Sequence, residues 1–202
     1  VLRQVLKEVD APFFEAENEA AFYGPKIDIQ VKKAGGNEET AFTVQYDFVM
    51  PERFDLTFTN KEGKEERPIV IHRSSIGCLE RTMAFLIEKY KGAFPLWLSP
   101  VQVKIIPITD GQLEYAQKIE QSLKENNIRV ELDDKSETMQ NKIRNAAAEK
   151  VPYMIIIGGR EVENNTISIR QRDGQDLGSM PFDNFLEKIK DQISKKDLNL
   201  IK

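Results

Sequence analysis

The sequence predicts an α/β protein, α+β overall, in two parts: antiparallel strands with helices first, then an α/β domain with a mostly parallel sheet. Three observations carry this. Apolar residues alternate with polar ones from Lys26 onward, strand and helix patterns alternate after Val101, and prolines 95 and 100 punctuate the stretch between. The 202 residues hold 40% hydrophobic and 31% charged side chains, an ordinary globular profile that excludes collagen-like, disordered and membrane-spanning classes. No apolar run approaches the roughly 20 residues of a membrane span.

Val1, Val5, Leu6 and Val9 recur at helical spacing, so the chain opens in what reads as the middle of a helix, on Val rather than Met. A piece of a longer protein is the expectation. Ile27, Ile29 and Val31 then point one way and Lys26, Asp28 and Gln30 the other. After the turn-rich Ala34-Gly35-Gly36-Asn37, Phe42, Val44, Tyr46 and Phe48 form one face and Thr43, Gln45 and Asp47 its opposite. A second hairpin is expected from 53–60 and 67–73, with a helix from Ile76 through Lys91.

Beyond Ser99, strands are expected at 101–109, 128–132, 151–157 and 166–172, with helices at 112–127, 137–150 and around Phe182–Ile193. The nearly all-apolar 151–157 reads as a strand covered on both faces. A boundary after Leu98 gives two domains, 1–98 and 99–202.

Charge narrows the function. With 29 basic and 33 acidic residues the net charge is −4, so nucleic-acid contact must rest on a local patch. One cysteine, Cys78, excludes an internal disulfide, and one histidine, His72, is no metal site by itself. A reducing cytoplasm is the expected compartment, and no signal-peptide pattern appears.

The polar hairpin face is the first candidate for chemistry. Tyr23-Gly24-Pro25-Lys26 brings a phenol and an ammonium to its entrance, and Gln45 and Asp28 could orient a polar small molecule. A solvated sheet face would also look like this. His72 shares a strand face with Val70, and a lone histidine among apolar neighbours is ordinarily structural. Gly77-Cys78-Leu79-Glu80-Arg81 opens a helix, where amides and an arginine suit phosphate. Alone, glycine and arginine at that spacing are too common to decide. In the second half, six basic residues (Lys142, Arg144, Lys150, Arg160, Arg170, Arg172) face three acidic ones between positions 142 and 172. With Glu161 they could read single-stranded bases.

Taken in order, Ala21–Lys26, Thr43–Phe48, Pro68–Arg73 and Gly77–Arg81 resemble the later catalytic domain of the class II threonyl-tRNA synthetase family. Phe94–Val103 resembles that family's junction, and Lys150–Met154 and Asp176–Met180 its anticodon-binding domain. The resemblance covers nearly the whole chain. It implies a ligase that activates threonine with ATP and magnesium and transfers it to tRNA(Thr), as a cytoplasmic homodimer with no membrane partner.

In that scheme Gly77 to Arg81 would be motif 3. Arg81, Lys26 and Gln45 would be catalytic, and Arg81, Lys26, Thr43 and Gly77 would bind ATP. Tyr23 and Gln45 would line the threonine pocket. His72 would be one of three protein ligands of a zinc held in the full-length enzyme. Glu161, Arg170, Lys142 and Arg144 would face the anticodon. The 202 residues alone are expected to be inactive, because motif 2 and two zinc ligands are not among them. The family usually has Trp-Gln where this chain has Glu39-Thr40, and serine where it has Cys78. The alternatives are a non-catalytic tRNA-binding module of synthetase-like fold, or a class II synthetase of another specificity, such as prolyl.

Overall fold

A computed structural model describes residues 1–33 and 35–201. The chain divides into two compact units, Val1–Lys89 and Tyr90 onward. The expected turn residue Ala34 lies outside the described residues.

In the first unit, helix α1 (Leu2–Glu8) precedes β1 (Lys26–Lys32) and β2 (Glu38–Asp47). These pair antiparallel as expected, with Lys26 opposite Gln45 and Asp28 opposite Thr43, and a bulge between Ile29 and Gln30. The second expected hairpin takes another form. A short helix α2 (Val49–Arg53) precedes it and takes in Arg53, the first residue of the expected arm, because the Asp47 carboxylate accepts the Val49 and Met50 amides at 2.8 and 2.9 Å and caps a helical turn. Only β3 (Phe58–Thr59) and β4 (Glu65–Glu66) pair there. After Pro68, which offers no amide to a ladder, β5 (Val70–Ser74) pairs with β2 and makes it the central strand of three. Helix α3 (Leu79–Tyr90) follows.

The second unit is a five-stranded sheet in the order β10-β9-β8-β6-β7. It comprises β6 (Val103–Pro107), α4 (Leu113–Glu125), β7 (Val130–Leu132), α5 (Met139–Ala148), β8 (Tyr153–Ile157), α6 (Gly159–Asn164), β9 (Thr166–Gln171), β10 (Asp176–Pro181) and α7 (Phe182–Ser194). The mostly parallel sheet expected here is mixed. β6 runs parallel to β7 and β8, whereas β9 is antiparallel to both its neighbours. The reason is connection length: a parallel return needs a dozen or more residues, and the link from β8 to β9 holds only the short α6 and the left-handed Asn165. Strand β10, interrupted by Gly178 and ended by Pro181, went unread in the sequence.

Among the described residues, all the buried core side chains of Leu, Ile, Val, Met, Ala, Phe and Tyr lie in this second unit, from Leu96 to Ile189. Ile105, Ile155, Tyr153, Leu123 and Phe185 anchor its main cluster. Leu96 belongs to that cluster, which draws the stretch before Ser99 into the unit. Gln102 donates to the Leu96 carbonyl, and Arg129 to the carbonyls of Ser99 and Trp97. At the far end, Ile201 gives its amide to the Tyr153 hydroxyl and its carbonyl to Gln171, while Gln192 holds the Asn199 carbonyl.

Candidate functional site

The expected polar face forms on the central strand of the first unit. Gln45 lies between Lys26 on β1 and His72 on β5, and Thr43 between Asp28 and Ser74. Side chains paired across strands share a face, so these residues converge. The Tyr23-Gly24-Pro25 turn runs alongside β2, with Phe48 donating to the Tyr23 carbonyl at 2.9 Å and Tyr46 to the Pro25 carbonyl at 3.0 Å. Gly24 is required there: its φ is +151°, and a Cβ would stand 2.0 Å from the Tyr46 oxygen. The turn delivers the Tyr23 hydroxyl to Gln45 Oε1 and its ring edge-on to His72, 5.7 Å between centroids.

His72 has a partner that the sequence reading missed. Its Nε2 lies 2.6 Å from Asp47 Oδ2, and the Asp47 side chain is 0% exposed against 46% for His72. Burial alone would push the Asp47 carboxyl up. The Met50 amide, the His72 ring and the Val49 amide outweigh it and hold the carboxyl below the usual range. An ionised carboxylate only accepts, so Nε2 donates to it, and in the neutral ring Nδ1 keeps its lone pair for a ligand. The pairing spans strands, which is why spacing along the chain gave no signal.

Lys26 pairs with Asp28, whose hydrogen bond outweighs desolvation and raises the ammonium pKa. Thr43 Oγ1 is buried without a hydrogen-bond partner. Gly77 adopts φ +69° where a Cβ would stand 2.5 Å from the Ala41 oxygen, and its amide donates to Ser74 Oγ at 2.9 Å. Cys78 is exposed, with its thiol on Glu80. Arg81 projects from the first turn of α3, with Nε 3.1 Å from Glu39 Oε1.

In the second unit, Glu161 and Arg170 sit around one strand face. Gly158 donates to Glu161 Oε2 and Ser168 Oγ to Oε1, both at 2.8 Å. Burial would raise this carboxyl, but the Ser168 hydroxyl and the amides hold it low. Arg170 reaches Asp176 at 3.4 Å, and its Nε is buried without a partner. Arg144 is exposed. Lys142 does not join an exposed basic patch as expected: it is 4% exposed, and its ammonium donates to the Asp133 carbonyl at 2.8 Å. Arg172 also turns inward, onto the Phe94 carbonyl. A cleft of about 370 Å³ opens at the carboxyl ends of the parallel strands, lined by Thr109, Asp110, Asp134, Glu137, Thr138 and Lys142 among others.

Residues 2–90 match the family "tRNA synthetase class II core domain (G, H, P, S and T)", and residues 102–192 match "Anticodon binding domain". Together they define the class: a core segment of a class II aminoacyl-tRNA synthetase joined to an anticodon-binding domain. Threonine–tRNA ligases of Clostridium botulinum (strain Eklund 17B / Type B) and Oceanobacillus iheyensis are each 47% identical, over 97% and 98% of this chain. The chain belongs to the threonine–tRNA ligase family. It spans 30% and 31% of those two relatives. Among solved structures, the RNA binding domain of threonyl-tRNA synthetase from Cryptosporidium parvum Iowa II has a TM-score of 0.84 at 31% identity, over 94% of this chain and 48% of its own. Prolyl-tRNA synthetase from Cryptosporidium parvum, at 24% identity and TM-score 0.70 over 90% and 41%, shares the fold.

Proposed function

We propose that this chain is the part of a cytoplasmic threonine–tRNA ligase, a homodimer when whole, that supplies motif 3 (residues 1–98) and anticodon recognition (99–202). The observation that carries the reading is the convergence of Tyr23, Gln45, Lys26 and His72 on one sheet face, in a chain so similar to those ligases. The reaction joins the threonine carboxylate to the α-phosphate of ATP with loss of pyrophosphate. A ribose hydroxyl of tRNA(Thr) then takes the acyl group and AMP leaves. Tyr23 and Gln45 orient threonine. Thr43, with its unpartnered hydroxyl, Lys26 and the Gly77 turn hold ATP, and Arg81 stabilises charge on the phosphates as the bond to pyrophosphate breaks. A magnesium ion bound with ATP would further neutralise that charge.

Zinc does not fit the described residues by themselves. Among them no three of His, Cys, Asp and Glu converge, and His72 offers one nitrogen, the other being bound to Asp47. His72 is thus proposed as a single ligand toward a zinc completed in the full-length enzyme, and no step is assigned to the metal here. The 202 residues alone should form no threonyl-adenylate.

In the second unit, Glu161, Arg170 and Arg144 read the anticodon bases, and Lys142 braces the loop at Asp133 that borders the cleft. The test is a titration of the 202-residue chain with cognate and mismatched anticodon stem-loops. Glu161→Ala and Arg170→Ala should each reduce discrimination by about tenfold, the cost of one base-edge contact. Equal affinity of the unaltered chain for both loops overturns the reading.

A further inference from the structure

We propose that Glu39 is a built-in substitute for phosphate: its carboxylate bridges Lys33 and Arg81, and a polyphosphate ligand binds the first unit by displacing it. The inference rests on the reading of Arg81 as a phosphate ligand and extends it to two further residues.

One carboxylate oxygen, Oε1, takes Arg81 Nε at 3.1 Å, and the other, Oε2, takes the Lys33 ammonium. The two cations are therefore spaced by the width of one oxyanion, with an oxygen presented to each. A phosphoryl group offers the same pair of acceptors and a larger charge. Lys33, the residue after β1, thereby becomes a phosphate ligand that the sequence reading did not include.

Position matters as much as charge. Glu39 stands between the two cations and pairs with both. An uncharged residue there would leave both cations open to a ligand. With Glu39 in place the local charge falls from +2 to +1, so a polyanion meets a weaker field until the carboxylate swings out. That movement is small. Arg81 is 59% exposed and Glu39 24%, and neither packs in a core, so side-chain rotation alone completes the exchange. The Lys33 hydrogen bond, with the Lys33 and Arg81 charges, holds the Glu39 carboxyl below its usual range against the effect of burial.

The test is calorimetric titration of the 202-residue chain with inorganic tripolyphosphate, then with ATP, at low salt. Glu39→Gln keeps the size of the side chain and removes its charge, and should bind at least about threefold more tightly, the scale of exposed ion pairs. Adding Lys33→Ala to that variant should erase the gain, and Arg81→Ala should abolish binding. If Arg81→Ala binds as well as the unaltered chain, the phosphate reading of Arg81 is wrong and the inference goes with it. If Arg81→Ala loses binding while Glu39→Gln binds no tighter than the unaltered chain, displacement alone is overturned. Failure of both the unaltered chain and Glu39→Gln to bind overturns both. Circular dichroism establishes that each variant is folded, and Glu39→Ser, equally uncharged but shorter, should show the same gain.

Discussion

Tyr153 is fully buried, and its hydroxyl donates to Gln192 Oε1 at 2.9 Å while accepting the Ile201 amide at 2.7 Å. Burial, only partly offset by these hydrogen bonds, pushes the phenol up to about 12. A group raised in the folded state contributes stability that is complete below its unfolded value, about 10, and lost as pH climbs through 12. Urea unfolding should therefore weaken between those values, by on the order of 3 kcal/mol, beyond whatever Tyr153→Phe loses over the same range. Equal slopes for the two proteins would contradict this. Tyr153 was legible in the sequence only as one apolar position of a strand. Asp47 likewise read as one of several polar residues on a hairpin face, and neither its contact with His72 nor that of Glu39 with Arg81 leaves any periodicity to detect, because each joins separate elements.

Elements were more legible, and where they were misread the cause is local. Strict alternation made β1 and β2 plain, and buried apolar stripes made α4 and α7 plain. Helix α2 went unread because it depends on a side-chain cap rather than on a stripe. β10 was missed because Asp-Leu-Gly-Ser-Met-Pro carries turn residues inside a strand that pairs through a register shift. The Tyr23–Pro25 turn depends on a backbone approach only glycine allows, so Gly24→Ala should part it from β2 at a cost of about 2 kcal/mol or more. Hydrogen exchange at the Tyr46 and Phe48 amides checks it: both should speed up. Gly35→Ala, with open space around its Cβ and no positive φ, should leave them unchanged.

At the scale of the molecule, buried apolar surface is divided unequally. Among the described residues the first unit buries Pro51 but no large aliphatic or aromatic side chain, and Ile69, Ile71, Leu79, Met83 and Ile87 are all exposed. Apolar burial is the dominant stabilising contribution, so the two units should open at different free energies. Amides of Ile105 and Ile155 should exchange only when the second unit unfolds, and those of Val44 and Tyr46 well before. Residues 90–201 should unfold in one transition by themselves, and Leu96→Ala should lower that stability by about 3 kcal/mol, the cost of a cavity in a closed core. Protection as strong in β2 as in β8 would refute the division. The composition forecast a well-filled protein but could not say which half would hold the filling.

The hold on residues 198–201 sets an order of events during synthesis. Tyr153, Gln171 and Gln192 leave the ribosome before the segment whose backbone they bind. Until Asn199 and Ile201 emerge, three buried polar side chains wait without those partners, a costly state in a dry interior. The nascent second unit therefore tightens only once those backbone groups have emerged to meet them.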